Sequence, residues 1–179
     1  MKKLYVIVPL ALVFCFVVGC RDKVAMAELE ALKAQAAVEE QNKEIVRRYS
    51  EGEGKGNFLE IIDEFVAPDV IYHYPNSNDI SGLETIKLNY AQFHEAYPDM
   101  KNTGAFLVAE GDLVASRATW KGTHKGNWMG VEPTDKEITF TLIEVFQVKE
   151  GKIIEAWIEF DYSGWFQQLG MELKPKEEK

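Results

Sequence analysis

The sequence predicts an α+β domain in which a curved, cone-shaped antiparallel sheet wraps around three helices, behind an N-terminal helical stalk. Two observations predict it. Apolar residues recur with helical spacing up to about residue 96, and from about residue 102 they alternate with polar residues, as in strands. Helices followed by an antiparallel meander are typical of the α+β class.

The first twenty residues are typical of a bacterial lipoprotein signal. Lys2 and Lys3 precede an apolar run over residues 4–18, and Gly19 precedes Cys20. We therefore expect a signal peptide over residues 1–19 and lipidation at Cys20. The protein would then lie in the bacterial cell envelope, lipid-anchored on the periplasmic face or the cell surface. An uncleaved membrane anchor and an ordinary secretory signal are the alternatives.

Cysteine and charge limit the chemistry and the partners. Cleavage removes Cys15 and leaves Cys20 as the one cysteine, so no internal disulfide, cysteine zinc site or thiol nucleophile is expected. The 29 acidic residues outnumber the 20 basic ones, for a net charge of −9. A chain this acidic, without a basic stripe, predicts no nucleic-acid partner, and membrane contact would come through the lipid.

The helical part of the sequence divides in two. Residues 24–50 lack proline and glycine, and their apolar stripe is thin in the first half and stronger around Val46 and Tyr49. We assign residues 20–41 to a stalk, with a self-associating coiled coil as the alternative, and residues 42–170 to the domain. The glycines of residues 52–56 predict a flexible break, and residues 171–179 a charged tail.

The remaining elements follow in order. Asn57 is placed to cap a second helix that Pro68 ends, and a short strand is expected over residues 70–74. A polar loop over 76–81 and a third helix over 82–96 come next. Strands are predicted at 102–110, 113–124, 136–149 and 152–161, and a short helix at 162–169.

Strand alternation makes Glu144 a candidate for acid–base chemistry. In the strand over 136–149 it is the lone carboxylate on a face that otherwise carries apolar side chains. Burial of an unpaired carboxyl raises its pKa, which suits a general acid or base. The alternative is a structural glutamate paired with Arg117 or a lysine.

Two histidines are further candidates. His124 follows Trp120 by four residues and would share its face, and His73 ends a strand at a position that suits a pocket mouth. A lone histidine at a strand end is more often an ordinary rim or surface residue than a catalyst, and His94 is expected at the surface. The spacing of the three histidines matches no zinc motif, so no metal site is predicted.

Several motifs in order resemble the SnoaL-like polyketide cyclases, or ester cyclases, within the nuclear transport factor 2-like superfamily. The resemblance covers about residues 42–170. It rests on Pro-Asp-Val at 68–70, Tyr-Pro-Asp at 97–99, Gly-Thr-His at 122–124, Pro-Thr at 133–134, Gly-Lys-Ile at 151–153 and Gln-Leu-Gly at 168–170.

The resemblance implies a hydrophobic cavity, a homodimer packed sheet to sheet, and an aldol ring closure by proton transfer without metal or cofactor. It places the family's catalytic aspartate at Ile158 and an assisting histidine at Glu144. Because the Ile158 side chain has no ionisable proton, we expect this chain to carry out that reaction only if Glu144 acts as the acid or base.

Two functions are therefore expected. The first is an envelope-tethered enzyme acting on a small apolar carbonyl compound, with Glu144 as proton shuttle and His124 or His73 assisting. The second is a non-catalytic ligand-binding or dimerisation module, and a structural lipoprotein with a vestigial pocket is a third possibility. The side chains expected to contact the ligand are Trp120, Phe140, Leu142, Phe146 and Ile158.

Overall fold

A computed structural model describes residues 7–55, 57–75 and 77–172, without the side chains of residues 7–22, 54, 55, 104 and 105. Residues 1–6 of the expected signal peptide, the Cys20 side chain and residues 173–179 of the expected tail lie outside this description. The chain forms two compact units, Met1–Val38 and Glu39–Lys179.

The first unit is helical wherever it is described, as the first part of helix α1 (Ile7–Lys55). The side chains of residues 23–38 are all exposed, including Leu29 and Leu32 of the thin apolar stripe. Among the described residues, no helix is long and apolar enough to cross a membrane.

The second unit begins with the rest of α1 and contains every helix and strand that the sequence predicts. In chain order these are α2 (Phe58–Phe65), β1 (Val66–His73), β2 (Ile80–Ser81), α3 (Leu83–Ala96), β3 (Lys101–Glu110), β4 (Leu113–Thr123), β5 (Glu137–Lys149), β6 (Lys152–Phe160) and α4 (Tyr162–Gln168). The short strand β2 lies in the segment predicted as a loop.

The predicted helix break at residues 52–56 comes later than expected, because α1 continues through Gly52 to Lys55 and α2 begins at Phe58. Gly52 is buried, and a Cβ there would collide with the Ile61 side chain of α2. The glycine thus lets α2 approach the last turn of α1 closely. Continuation of the helix also keeps Tyr49 and Glu53, four residues apart, on one face.

The strands form one six-stranded sheet in the order β2-β1-β6-β5-β4-β3. Strands β3 to β6 form the predicted antiparallel meander. The sheet as a whole is mixed rather than antiparallel, because β1 pairs with β6 in parallel. The meander of β3 to β6 brings β6 next to β1, and these two strands run in the same direction. The α+β class and the curved sheet are confirmed.

Alternation sorts the strand side chains nearly as predicted. In β4 and β5, Trp120, Phe146 and Glu144 face the buried side. The pairing of β5 with β6 shifts register between Gln147 and Val148, so that Ile153 faces inward where strict alternation from Ala156 and Ile158 would place Ile154. A bulge of one residue explains this change, since it reverses alternation on one side of itself.

The buried side chains form two clusters. One joins α1, α2 and β1 to the inner face of the sheet around Tyr49, Phe58 and Phe146. The other surrounds Tyr97 and Trp165, where α4 covers the end of the sheet. The indole N–H of Trp165 donates to Tyr97 Oη over 2.9 Å, which fixes α4 in place. Between the two clusters the sheet and helices leave a cavity.

Candidate functional site

The cavity has a volume of about 550 Å³ and lies on the inner face of the sheet. Residues of α1 to α4 and of β1, β2, β4, β5 and β6 line it, and twelve of the lining residues are aromatic. This size and this lining suit a small organic molecule. Its polar groups determine what the cavity can do.

Glu144 lines the cavity from the middle of β5. Its side chain is 4% exposed, and burial raises its pKa to about 8. Arg117, the partner considered from sequence, is exposed on the opposite face of the sheet. No described lysine or arginine contributes to the pKa of Glu144. Ile158 lies directly across the strand pair from Glu144 and also lines the cavity.

A second carboxyl and a pair of phenols share this end of the cavity. Glu53, in the last turn of α1, lines it, and burial together with the Glu144 carboxylate raises the pKa of Glu53 well above its ordinary value. Its Oε2 atom is buried without a hydrogen-bond partner. Tyr49 donates a hydrogen bond to Glu53, and the Tyr49 and Tyr72 hydroxyls lie 2.8 Å apart. These groups form an acidic, hydrogen-bonded end wall.

Two indole groups supply donors farther along the lining. The Nε1 atoms of Trp120 and Trp128 are buried without hydrogen-bond partners, and both residues line the cavity. Trp120 is only 5% exposed. Buried donors without partners are uncommon in folded proteins, so these two N–H groups call for an explanation.

The structure brings four of the five expected ligand contacts to the cavity. Trp120, Phe140, Leu142 and Ile158 line it. Phe146 does not: it is fully buried beneath Tyr49, with ring centroids 5.4 Å apart. Phe146 therefore supports the wall rather than forming its surface.

His124 does not line the cavity. It is fully buried and stacks on Tyr97, with ring centroids 5.0 Å apart. Its Nδ1 atom is 3.2 Å from Thr134 Oγ1, and its Nε2 atom has no partner. Burial lowers the pKa of His124, which keeps the ring neutral at pH 7. In this structure the ring packs in the second hydrophobic cluster, between the end of β4 and the segment before β5.

His73 also lies outside the cavity lining, on the opposite face of the sheet. Its Nε2 atom is 2.7 Å from Glu155 Oε1 and its Nδ1 atom 2.9 Å from Asp79 Oδ1. It stacks on Trp157 at 5.4 Å between ring centroids. Hydrogen bonds to Glu155 and then Asp79 raise the pKa of His73. Glu144, His124 and His73 thus do not converge on one site.

The polar residues that sequence reasoning missed are Tyr49, Glu53, Tyr72 and Tyr74. Alternation did place Tyr72 and Tyr74 on the face of β1 opposite His73, and that face is the one that lines the cavity. Glu53 was hidden by the predicted helix break. The signal that could have found it is its spacing of four residues from Tyr49 on a continuous helix.

His94 lines the cavity together with Glu95, although the sequence suggested a surface position. No group of three or more His, Cys, Asp or Glu side chains in the described part of the chain is arranged to hold a metal ion.

Comparisons with known proteins identify the fold and the lineage. The family model for the SnoaL-like polyketide cyclases matches residues 35–169. A Jannaschia sp. CCS1 structure assigned to the SnoaL-like polyketide cyclases superposes with a TM-score of 0.71 at 20% identity, over 76% of this chain and 96% of that one. At this identity the likeness concerns the fold alone.

Two further solved structures are more similar in sequence. IdmH from Streptomyces antibioticus, assigned as a polyketide cyclase, is 30% identical, with a TM-score of 0.62 over 73% of this chain and 99% of its own. AclR from Streptomyces galilaeus, assigned as a hydroxylase, is 27% identical, with a TM-score of 0.63 over 72% and 95%. No curated protein matches the chain.

The nuclear transport factor 2-like fold, the family match over most of the domain and the similarity to IdmH agree with one another. The chain belongs to the SnoaL-like polyketide cyclase family.

Proposed function

We propose that the domain binds a small apolar carbonyl compound and catalyses proton transfer next to the carbonyl group, with Glu144 as the acid–base residue and no cofactor. One observation carries the proposal: Glu144 is a buried carboxyl on the wall of an aromatic cavity, and its pKa is raised to about 8. A general acid or base works best when its pKa is close to the working pH.

The chemistry needs one carboxylate and one set of donors. The ionised Glu144 removes a proton from the carbon next to the carbonyl, and the C–H electron pair moves into the enolate. Tyr74 lines the same cavity, and its hydroxyl is a donor suited to the enolate oxygen. Protonated Glu144 then returns the proton to carbon. In aldol ring closure the enolate carbon instead attacks a second carbonyl carbon, whose π electrons move onto its oxygen, and protonated Glu144 gives its proton to that oxygen.

The family's aspartate position, Ile158, explains why Glu144 is the candidate. The two residues are cross-strand partners on β5 and β6, so the carboxyl lies one strand away from the expected place and still reaches the same cavity. Neither His73 nor His124 lines the cavity, and the proposal gives neither a part in the proton transfer.

Solvent deuterium exchange tests the proposal without knowledge of the natural substrate. An aryl methyl ketone such as 2-acetonaphthone is incubated with the protein in D₂O, and loss of its methyl proton signal is followed by NMR. We expect accelerated exchange that rises with pH towards a plateau above about pH 8. Glu144→Gln should reduce the acceleration by roughly 10²-fold or more.

Glu60→Gln is the matched control, because it removes an exposed carboxylate from α2 outside the cavity lining. Exchange that persists in Glu144→Gln would remove Glu144 from the mechanism. Exchange at the background rate with the native protein would favour the alternative, a non-catalytic ligand-binding or dimerisation module.

A sheet-to-sheet homodimer is part of the proposal. The outer face of the sheet carries exposed apolar side chains on three strands, at Phe106, Val108, Ile143 and Trp157. Such a patch supports association with a second copy. Light scattering should give twice the chain mass, and Val108→Arg should give the monomer; a monomeric native protein would refute this part.

Attachment to the bacterial envelope rests on the sequence of the first twenty residues. We propose that Cys20 carries lipid and holds the domain at the periplasmic face or the cell surface. Cys20→Ser should move the protein from the membrane fraction to the soluble fraction and abolish labelling by a fatty-acid analogue. Unchanged membrane association would contradict the anchor.

A further inference from the structure

The cavity is acidic as well as aromatic. Among its described lining residues, the carboxyl groups are Glu53, Glu95 and Glu144, His94 is the one histidine, and there is no lysine or arginine. The whole chain has a net charge of −9. A protonated amine favours ionisation of these carboxyl groups and can pair with them, whereas a carboxylate or phosphate ligand finds no cationic partner among the described lining residues.

Two of the carboxyl groups are held at the buried end without a cationic partner. Burial is the main cause of the raised pKa of both Glu53 and Glu144, and the Glu144 carboxylate further disfavours ionisation of Glu53. The buried Oε2 atom of Glu53 has no hydrogen-bond partner. A buried acidic pair of this kind is stabilised when a positive charge lies between its members.

A second, independent observation points to a ligand at the other end of the same cavity. Trp120 is only 5% exposed, and its indole N–H has no hydrogen-bond partner. In the β4–β5 ladder, Ser116 pairs with Glu144 and Trp120 pairs with Phe140, four residues farther along. At about 3.3 Å per residue, Trp120 lies roughly 13 Å along the strands from Glu144.

We propose that the cavity receives an elongated apolar compound that carries a basic amine, with the protonated nitrogen between Glu53 and Glu144 and an acceptor oxygen at the Trp120 indole N–H. Glu53 is the anchor of the ammonium group. The aromatic lining contributes as well, because a cation is attracted to the faces of the Tyr49 and Tyr72 rings that border this end.

This inference deepens the proposed function by naming the class of ligand. An ammonium group beside Glu144 favours the ionised carboxylate, so that an amine-bearing substrate would convert Glu144 into the base that proton abstraction needs. Binding of the amine does not depend on turnover, so the two proposals fail separately. Amine binding without exchange activity would support the amine site and refute the proposed catalysis. Exchange activity without a preference for the amine would support the catalysis and refute the amine site.

Three matched biphenyl probes test the ligand class. They are 4-phenylbenzylamine, 4-phenylbenzyl alcohol and 4-phenylbenzoate, which differ at one group and carry positive, neutral and negative charge at pH 7. Affinities are measured by isothermal titration calorimetry with the full-length protein. We expect the amine to bind on the order of tenfold more tightly than the alcohol, since hydrogen bonds to charged groups are the stronger ones, and the benzoate to bind most weakly.

Variants then locate the amine. Glu53→Gln should remove the preference for the amine over the alcohol. Glu60→Gln should keep it, because Glu60 does not line the cavity. Circular dichroism verifies that each variant is folded. Nuclear Overhauser effects between the amine methylene and the Tyr49 and Tyr72 ring protons place the ligand in the native protein without any substitution.

Equal affinity for amine and alcohol, tighter binding of the benzoate, or no binding by any probe would overturn the proposal. So would a preference that survives in folded Glu53→Gln, or methylene contacts that are confined to the Trp120 end.

Discussion

Glu144 makes a prediction about stability that needs no substrate. Burial raises its pKa from 4.5 to about 8, so the folded state holds the proton more tightly than the unfolded state does. At about 1.4 kcal/mol per pH unit, the ionised carboxylate costs the folded state at most roughly 5 kcal/mol. The contribution of protonated Glu144 to stability should therefore be fully present below pH 4.5, fall as the pH rises, and be lost above about pH 8.

Glu144→Gln removes this titration while it keeps the shape of the side chain. We expect the variant and the native protein to differ least near pH 4.5, and the variant to gain several kcal/mol relative to the native protein by pH 9. The free energy of unfolding is measured by urea denaturation at half-unit steps from pH 4.5 to pH 9. The quantity to compare is how the difference in free energy of unfolding between variant and native protein changes with pH. Its value at any one pH also reflects local hydrogen bonds that Gln alters.

Glu60→Gln is again the control, and its difference from the native protein should be flat across the range. A flat difference for Glu144→Gln as well would refute the reasoning, because it would mean that Glu144 titrates normally. Glu53→Gln should reduce the pH dependence of the Glu144→Gln difference, since the two buried carboxyls repel one another when ionised.

Two further predictions concern the sheet surroundings. His73→Gln should lower the free energy of unfolding below pH 6.5, by no more than about 1 kcal/mol because the ion pair is partly exposed. The loss should shrink as the pH rises through the raised pKa of His73. A difference in urea denaturation that does not change with pH would contradict the charged contacts of His73. Gly126→Ala should cost about 1–3 kcal/mol in the same assay, because the new Cβ would lie 2.7 Å from the Glu95 carbonyl oxygen and must displace backbone; a cost near zero would show that this contact relaxes freely.

Local sequence patterns predicted most of the fold. The strand of residues 136–149 alternates over its whole length, and the structure places Glu144 and Phe140 on the predicted face. Periodicity works there because both ladder neighbours hold β5 in regular register. It failed at Ile154, where a bulge shifts the register, and at Gly52, where contact with Ile61 outweighs the low helix propensity of glycine.

The site was only partly predictable. Glu144 was found because a lone carboxylate on an apolar strand face is visible in the sequence. Glu53 was not, because its position depends on how α1 ends against α2. His73 and His124 were selected by residue type, and neither lines the cavity. Residue type names the available chemistry, whereas convergence depends on which faces the fold brings together.

The sequence by itself determined the lineage and the order of the helices and of the strands other than β2, because each depends on local composition and spacing. Only the tertiary structure decided that β1 runs parallel to β6, and that Glu53 and Glu144 meet at one end of an aromatic cavity. These two residues lie 91 positions apart in the chain, and the raised pKa of each comes from burial by elements that no local pattern relates.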